Sequence, residues 1–148
     1  MKHYSGQLMR KLSRQKLRYI EGDKDNEVAL QLTGIYVNHD ALYFKLILKN
    51  YSNFSYDIDD IKFTIKDRQK SKRTAIQETE ITPIYKFGNF KKAEADSIAS
   101  CVITLPKITL PESKYLAIQA LEKNGERDLN LFIKSRQIIK AKTIDLDK

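Results

Sequence analysis

Hydrophobic and polar residues alternate along this chain with two different periods. From Tyr4 to Ile20 the spacing is helical: at about 100° per residue, Leu8, Met9, Leu12, Tyr19 and Ile20 fall within about 120° of one another, with Arg10, Lys11, Arg14 and Arg18 opposite. Lys16 interrupts the apolar stripe, no proline breaks the run, and Gly22 follows it. The pattern predicts a short, basic, amphipathic helix within an N-terminal region over 1–26, and GDKDNE (22–27) reads as a polar turn.

Beyond that turn the period becomes two, the signature of half-buried strands. Runs over 28–37 and 41–49 flank the turn Asn38-His39-Asp40 and predict an antiparallel hairpin, with Leu42, Phe44, Leu46 and Leu48 on one face and Tyr43, Lys45, Ile47 and Lys49 on the other. After a loop over 50–57, Ile61, Phe63 and Ile65 alternate with Lys62, Thr64 and Lys66, and a charged turn covers 67–72. Residues 73–85 are extended and 87–96 read as a loop. Ala99, Cys101, Ile103 and Leu105 then line one face of a strand over 97–105. Strands at 116–120 and 129–133 close the series around Glu122–Arg127, where Asn124-Gly125 predicts the two positive-φ positions of a type I′ turn. Seven strands with turns every 8–12 residues or so suggest an all-β, immunoglobulin-like seven-stranded β-sandwich with a short N-terminal helix. The expected divisions are 1–26 for the basic helix and linker, 27–140 for the sandwich, and 141–148 for a charged tail.

Composition agrees with a single folded unit. The 148 residues are 41% hydrophobic and 31% charged, too apolar for a disordered chain. One cysteine excludes an intrachain disulfide framework. The apolar runs are too short to span a bilayer as a helix, and MKHYSGQLMRKL lacks the apolar region of a signal peptide. That leaves a cytosolic protein or a fragment whose signal lies elsewhere. The formal charge is +8, of which +6 falls in residues 1–20 and +2 in the rest. A nucleic-acid surface would therefore need the N-terminal segment or a local cluster. Lys62, Lys66, Arg68, Lys70, Lys72 and Arg73 form such a cluster, with no aromatic residue between Phe63 and Tyr85 to stack bases.

Candidate chemistry is sparse. The two histidines, His3 and His39, have no sequence partner for nucleophilic catalysis, and Cys101 sits on an apolar strand face. The chain carries no HExxH, paired Cys-x-x-Cys, EF-hand or phosphate-loop motif, so no metal or cofactor is expected. Asp57, Asp59 and Asp60 could serve acid–base or calcium chemistry, but acids before a strand more often bond nearby backbone N–H groups. Asn50 and Asn53 each begin a glycosylation sequon, a frequent chance match. A glycan-binding module would need an aromatic platform, for which Tyr51, Phe54 and Tyr56 are the candidates. The expectation is a non-enzymatic protein.

Several motifs in fixed order are more particular. They are Gly34-Ile35-Tyr36, Leu42-Tyr43-Phe44, Tyr56-Asp57-Ile58-Asp59, Lys72 to Glu78 (KRTAIQE), and Glu122 to Arg127 (EKNGER). Over roughly residues 28–135 the chain resembles the C-terminal domain of the TraN family of Bacteroides-type conjugative transposon proteins. The resemblance implies a structural or assembly subunit of a conjugative, type IV secretion-like DNA-transfer apparatus, in the periplasm or associated with the outer membrane. Its implied partners are other conjugation-apparatus (Tra) proteins, with self-association inside the full assembly and membrane contact only through the larger complex. Family members are expected to carry a signal peptide and further N-terminal sequence, which this chain does not show, and the loop over 87–97 is shorter and less basic than expected. Such a sandwich would act by edge-strand pairing. Residues 73–82 have no fully apolar face, so Arg73, Gln77 and Glu78 are the expected partner-binding residues. The competing expectation is a basic accessory protein that binds nucleic acid.

Overall fold

The computed structural model describes residues 6–68 and 78–144. In chain order the elements are α1 (Gly6–Ser13), β1 (Glu21–Asp25), β2 (Val28–Asn38), β3 (Ala41–Asn50), β4 (Tyr56–Asp67), β5 (Glu78–Ile81), β6 (Tyr85–Gly88), β7 (Lys92–Ala93), β8 (Ser97–Pro106), β9 (Lys114–Glu122), β10 (Leu129–Lys134), α2 (Ser135–Ile139) and β11 (Lys142–Thr143). The protein is all-β, as its alternation predicts, but with eleven strands among the described residues rather than seven. One sheet runs β1-β2-β3-β8-β6, with β11 joining β2; the other runs β10-β9-β4-β5, with β7 joining β4. Every pairing is antiparallel except β11 with β2.

The main core lies between the sheets. Leu30, Leu32, Phe44, Leu46, Cys101 and Ile103 from the first face Ile61, Phe63, Leu116, Ile118, Leu131 and Ile133 from the second. These are the apolar positions of the period-two runs, so the hydrophobic effect selects the register. Phe44 and Phe63 touch across the layers, with ring centroids 5.6 Å apart and planes tilted by 54°.

A second cluster covers the outer face of the first sheet. Leu8, Met9 and Leu12 of α1 pack on Tyr36, Ala41, Tyr43 and Val102, with Ile144 beside them. This explains why β3 is buried on both faces. Lys45, on the outer face, lies under the end of α1 and donates from Nζ to the carbonyl oxygens of Ser13 (2.8 Å) and Gln15 (3.0 Å). A cation at a helix C-terminus satisfies carbonyls that lack intrahelical partners, and burial pulls its pKa down.

The helix is shorter than its stripe suggests. It ends at Ser13, after which Arg18 and Ile20 donate backbone N–H groups to Thr33 and Leu32 along β2. Tyr19 and Leu17 are exposed rather than docked. GDKDNE is likewise not merely a turn: Glu21–Asp25 is an edge strand, and Asn26 and Glu27, both at positive φ, form the two-residue link to β2. An edge strand with one side in water needs no apolar alternation, which hides it in the sequence.

At Asn124-Gly125 the expectation fails in the opposite direction. Only Asn124 has positive φ, and the last paired residues are Ala120 and Leu129, so the loop is long. A Cβ at Gly125 would collide with the Glu122 side chain folded across the loop, so any larger residue there would have to displace it. The extended run 73–85 is divided at Pro83: β5 belongs to the second sheet and β6 to the first. The presumed loop 87–96 contains the end of β6 and β7, with Ala93 fully buried.

Candidate partner-binding edge

The two flanks of the paired sheets differ. On one, β1 packs against β10, and Asp23 Oδ2 accepts a hydrogen bond from the Asn130 backbone N–H at 2.8 Å. On the other, β5 ends the second sheet and β6 ends the first, joined through Thr82, Pro83 and Ile84. Among the described residues neither strand has a second strand neighbour. Glu78 and Glu80 are exposed there, with Ile84 and Tyr85 also partly in solvent.

Of the three expected partner-binding residues, the structure places Glu78 at the start of β5, paired with Lys66 at 3.6 Å. Arg73 and Gln77 lie outside the described residues. From the basic cluster, Lys62 and Lys66 share the outer face of β4. Arg68 turns away and donates from Nη1 to the Glu112 carbonyl at 3.0 Å. Lys70 and Lys72 lie outside the described residues, as does His3. Aromatic residues that the local sequence lacks arrive through the register. Tyr115 lies opposite both Lys66 and Lys134, and Phe132, 53% exposed, meets the Tyr115 ring edge-on at 5.3 Å.

The acidic trio of Asp57, Asp59 and Asp60 lines one cavity, but in company with Lys86, Lys91, Lys92 and Lys123. Asp57 accepts from Ser55 Oγ at 3.3 Å and faces Lys92 at 4.0 Å, while Asp59 sits exposed at a bulge in β4. Among the described residues no three His, Cys, Asp or Glu side chains are grouped to hold a metal. Cys101 is buried in the core, and burial pushes its thiol pKa up to about 12. The supposed aromatic platform is split: Tyr51 and Phe54 are exposed, Phe54 at 75%, but Tyr56 is wholly buried. Asn50 is an internal lock, its Nδ2 within hydrogen-bonding distance of the carbonyls of Phe54, Ala93 and Glu94 at 2.7–3.2 Å.

The feature that sequence reasoning missed is Arg127. Its guanidinium bonds Glu122 (Nη2 to Oε2, 2.6 Å), Ser52 Oγ (2.9 Å) and the Ser55 carbonyl (3.1 Å), and it lies 5.3 Å from the centre of the Tyr56 ring. The Tyr56 hydroxyl in turn donates to the Arg127 carbonyl at 2.6 Å. Opposite charges on either side of Asn124-Gly125 were the available signal. Two of the motif segments, around Tyr56 and Glu122–Arg127, thus meet in one clasp.

A family model described as a domain of unknown function, DUF4138, matches residues 2–143. The chain belongs to the DUF4138 family. No curated protein and no solved structure matches it. In this DUF4138 chain the match takes in α1 and β11 as well as the paired sheets.

Proposed function

We propose that this DUF4138 protein is a non-enzymatic assembly subunit of a conjugative-transposon, type IV secretion-like DNA-transfer apparatus. It acts through protein–protein contacts of an immunoglobulin-like β-sandwich at the periplasmic or outer-membrane side of the envelope. Its partners are other Tra proteins, with further copies of itself in the full assembly. The resemblance to the TraN C-terminal domain supports this reading. The observation that carries it is the flank where β5 and β6, the last described strands of the two sheets, lie beside exposed Glu78 and Glu80. Backbone edges supply affinity in strand-addition contacts, and side chains alternating along the edge supply selectivity.

The test is conjugal transfer and co-purification with the Tra proteins, using Glu78→Arg alone and with Gln77→Ala. A like-charge clash at a specific interface costs enough to lower both by about tenfold or more, at unchanged protein level and melting temperature. Unaltered assembly in the folded variant would sink the edge assignment. Recovery of the native protein in the soluble cytosolic fraction would overturn the location.

A second reading, a nucleic-acid accessory protein, is favoured by one arrangement. Tyr115 and Phe132 lie on the outer sheet face among Lys62, Lys66 and Lys134, as stacking platforms for single strands require. Glu78 offsets Lys66 there, which is why this reading stands second. It predicts salt-dependent binding of single-stranded DNA that falls about tenfold in Phe132→Ala, since stacking contributes about 1–3 kcal/mol per base. Binding that is absent, or equal in that variant, removes it.

A further inference from the structure

We propose that the cavity between the N-terminal segment, β2 and α2 is a binding site for a phosphate-bearing ligand. The cavity has a volume of about 230 Å³ and is lined by Arg18, Tyr19, Tyr36, Gln137, Lys140 and Lys142, together with β2 backbone and apolar atoms. None of its described lining residues is acidic. Among the described residues, neither Arg18, Lys140 nor Lys142 pairs with a carboxylate. All three are exposed, so water and salt screen much of their mutual repulsion, and an anion held between them gains from all three charges at once.

The neutral groups have the same polarity. Tyr36 is only 6% exposed, but its hydroxyl, which bonds no other described residue, still reaches solvent at the cavity. Gln137 uses its Oε1 to accept from the Lys134 backbone N–H at 2.7 Å, which commits the oxygen and leaves its amide N–H groups to donate. The site thus brings three cations and several O–H and N–H donors to one cavity, with only neutral hydroxyl and carbonyl oxygens as acceptors. Several oxygens and a charge of two or more suit it better than a lone carboxylate does.

The fold holds these groups together deliberately. Gly34 lets the Tyr36 ring lie against the β2 backbone, since a Cβ at 34 would come 2.5 Å from Tyr36 Cε2. The parallel pairing of β11 sets Lys142 beside Tyr36, and the backbone of Lys140 closes the end of α2 on the Arg136 carbonyl. Arg18 is positioned by its backbone bond to Thr33. Residues more than a hundred positions apart therefore converge on one cavity. This site lies apart from the β5–β6 flank and does not depend on the assembly reading.

A phosphate group could come from a soluble ester or from a lipid headgroup. Calorimetry with inorganic pyrophosphate tests the first source. Co-sedimentation with phosphatidylcholine vesicles, with and without phosphatidic acid, tests the second. Saturable binding in either arm is expected, weakened about tenfold by Arg18→Gln or Lys142→Gln because each removes a charge-assisted bond, and unchanged in Lys107→Gln, an exposed lysine outside every proposed site. Tyr36→Phe, which removes only the hydroxyl, should weaken it by a smaller factor. The arm that binds names the source. No binding in either arm, or equal binding in Arg18→Gln and Lys107→Gln at matched melting temperature, overturns the proposal.

Discussion

Phe63→Ala is expected to lower the free energy of unfolding by about 4 kcal/mol, read from urea denaturation at neutral pH. Phe63 is wholly buried in β4, facing the first sheet, and its ring meets Phe44 across the core. Truncation removes the transfer free energy of the ring and leaves a cavity that two paired sheets cannot collapse to fill. Because a domain of this size is stable by only about 5–15 kcal/mol, the variant should be largely unfolded in mild denaturant. Phe63→Leu, which keeps most of the volume, should cost about 1 kcal/mol. The control is Phe132→Ala on the outer face, where half the side chain is already in water and a change within about 0.5 kcal/mol is expected. Equal losses at 63 and 132 would mean that the inner and outer faces of the second sheet are wrongly assigned.

That inner face was legible because burial on one side imposes strict alternation. Ile61, Phe63 and Ile65 could be read directly, as could Ala99 through Leu105 and the pair 116–120 with 129–133. What escaped were the elements that gain little from alternation. The strand Glu21–Asp25 has one edge in water, and β7 and β11 are two residues each, held by their neighbours. The Ala41–Asn50 strand looked half-buried because Lys45 stands on its second face, yet α1 buries that face and uses the lysine as a cap. The tail read only as charged, which conceals Ile144, a member of the cluster under α1.

The candidate sites divide along the same line. The flank strands β5 and β6 begin within a segment whose mixed face pattern left a trace in the sequence. Tyr115 and Phe132 could not be placed beside Lys66 without the register between β4, β9 and β10. Arg18 read as part of a helix's basic face and Lys140 and Lys142 carry no local pattern, since only the parallel addition of β11 to β2 and the packing of α2 bring the three together. Local periodicity reports burial well. It reports convergence of distant residues hardly at all.

Arg127→Met is expected to cost about 3 kcal/mol, the lower end of the range for breaking a buried ion pair by removing one partner, because a little solvent reaches the pair: the Arg127 and Glu122 side chains are 14% and 11% exposed. The loss has two sources. Glu122 keeps its charge but loses its main donor, and the bonds that tie the 121–128 loop to Ser52 and Ser55 disappear. Replacing both partners, Arg127→Met with Glu122→Leu, should recover part of the loss, since no buried charge is then left unpaired. The same pair gives an acid signature. Hydrogen bonding from Arg127 holds the Glu122 pKa below the ordinary glutamate value, about 4.3 when unfolded. A carboxylate with a depressed folded pKa contributes stability that is fully present above the unfolded value and is lost as pH falls through the folded one. Unfolding free energies measured between neutral pH and pH 3 or so should therefore fall more steeply for the wild type than for Glu122→Gln, whose side chain does not titrate. Parallel curves for the two proteins, or a loss below about 1 kcal/mol in Arg127→Met, would show that the clasp at this end of the sheets does not hold it closed.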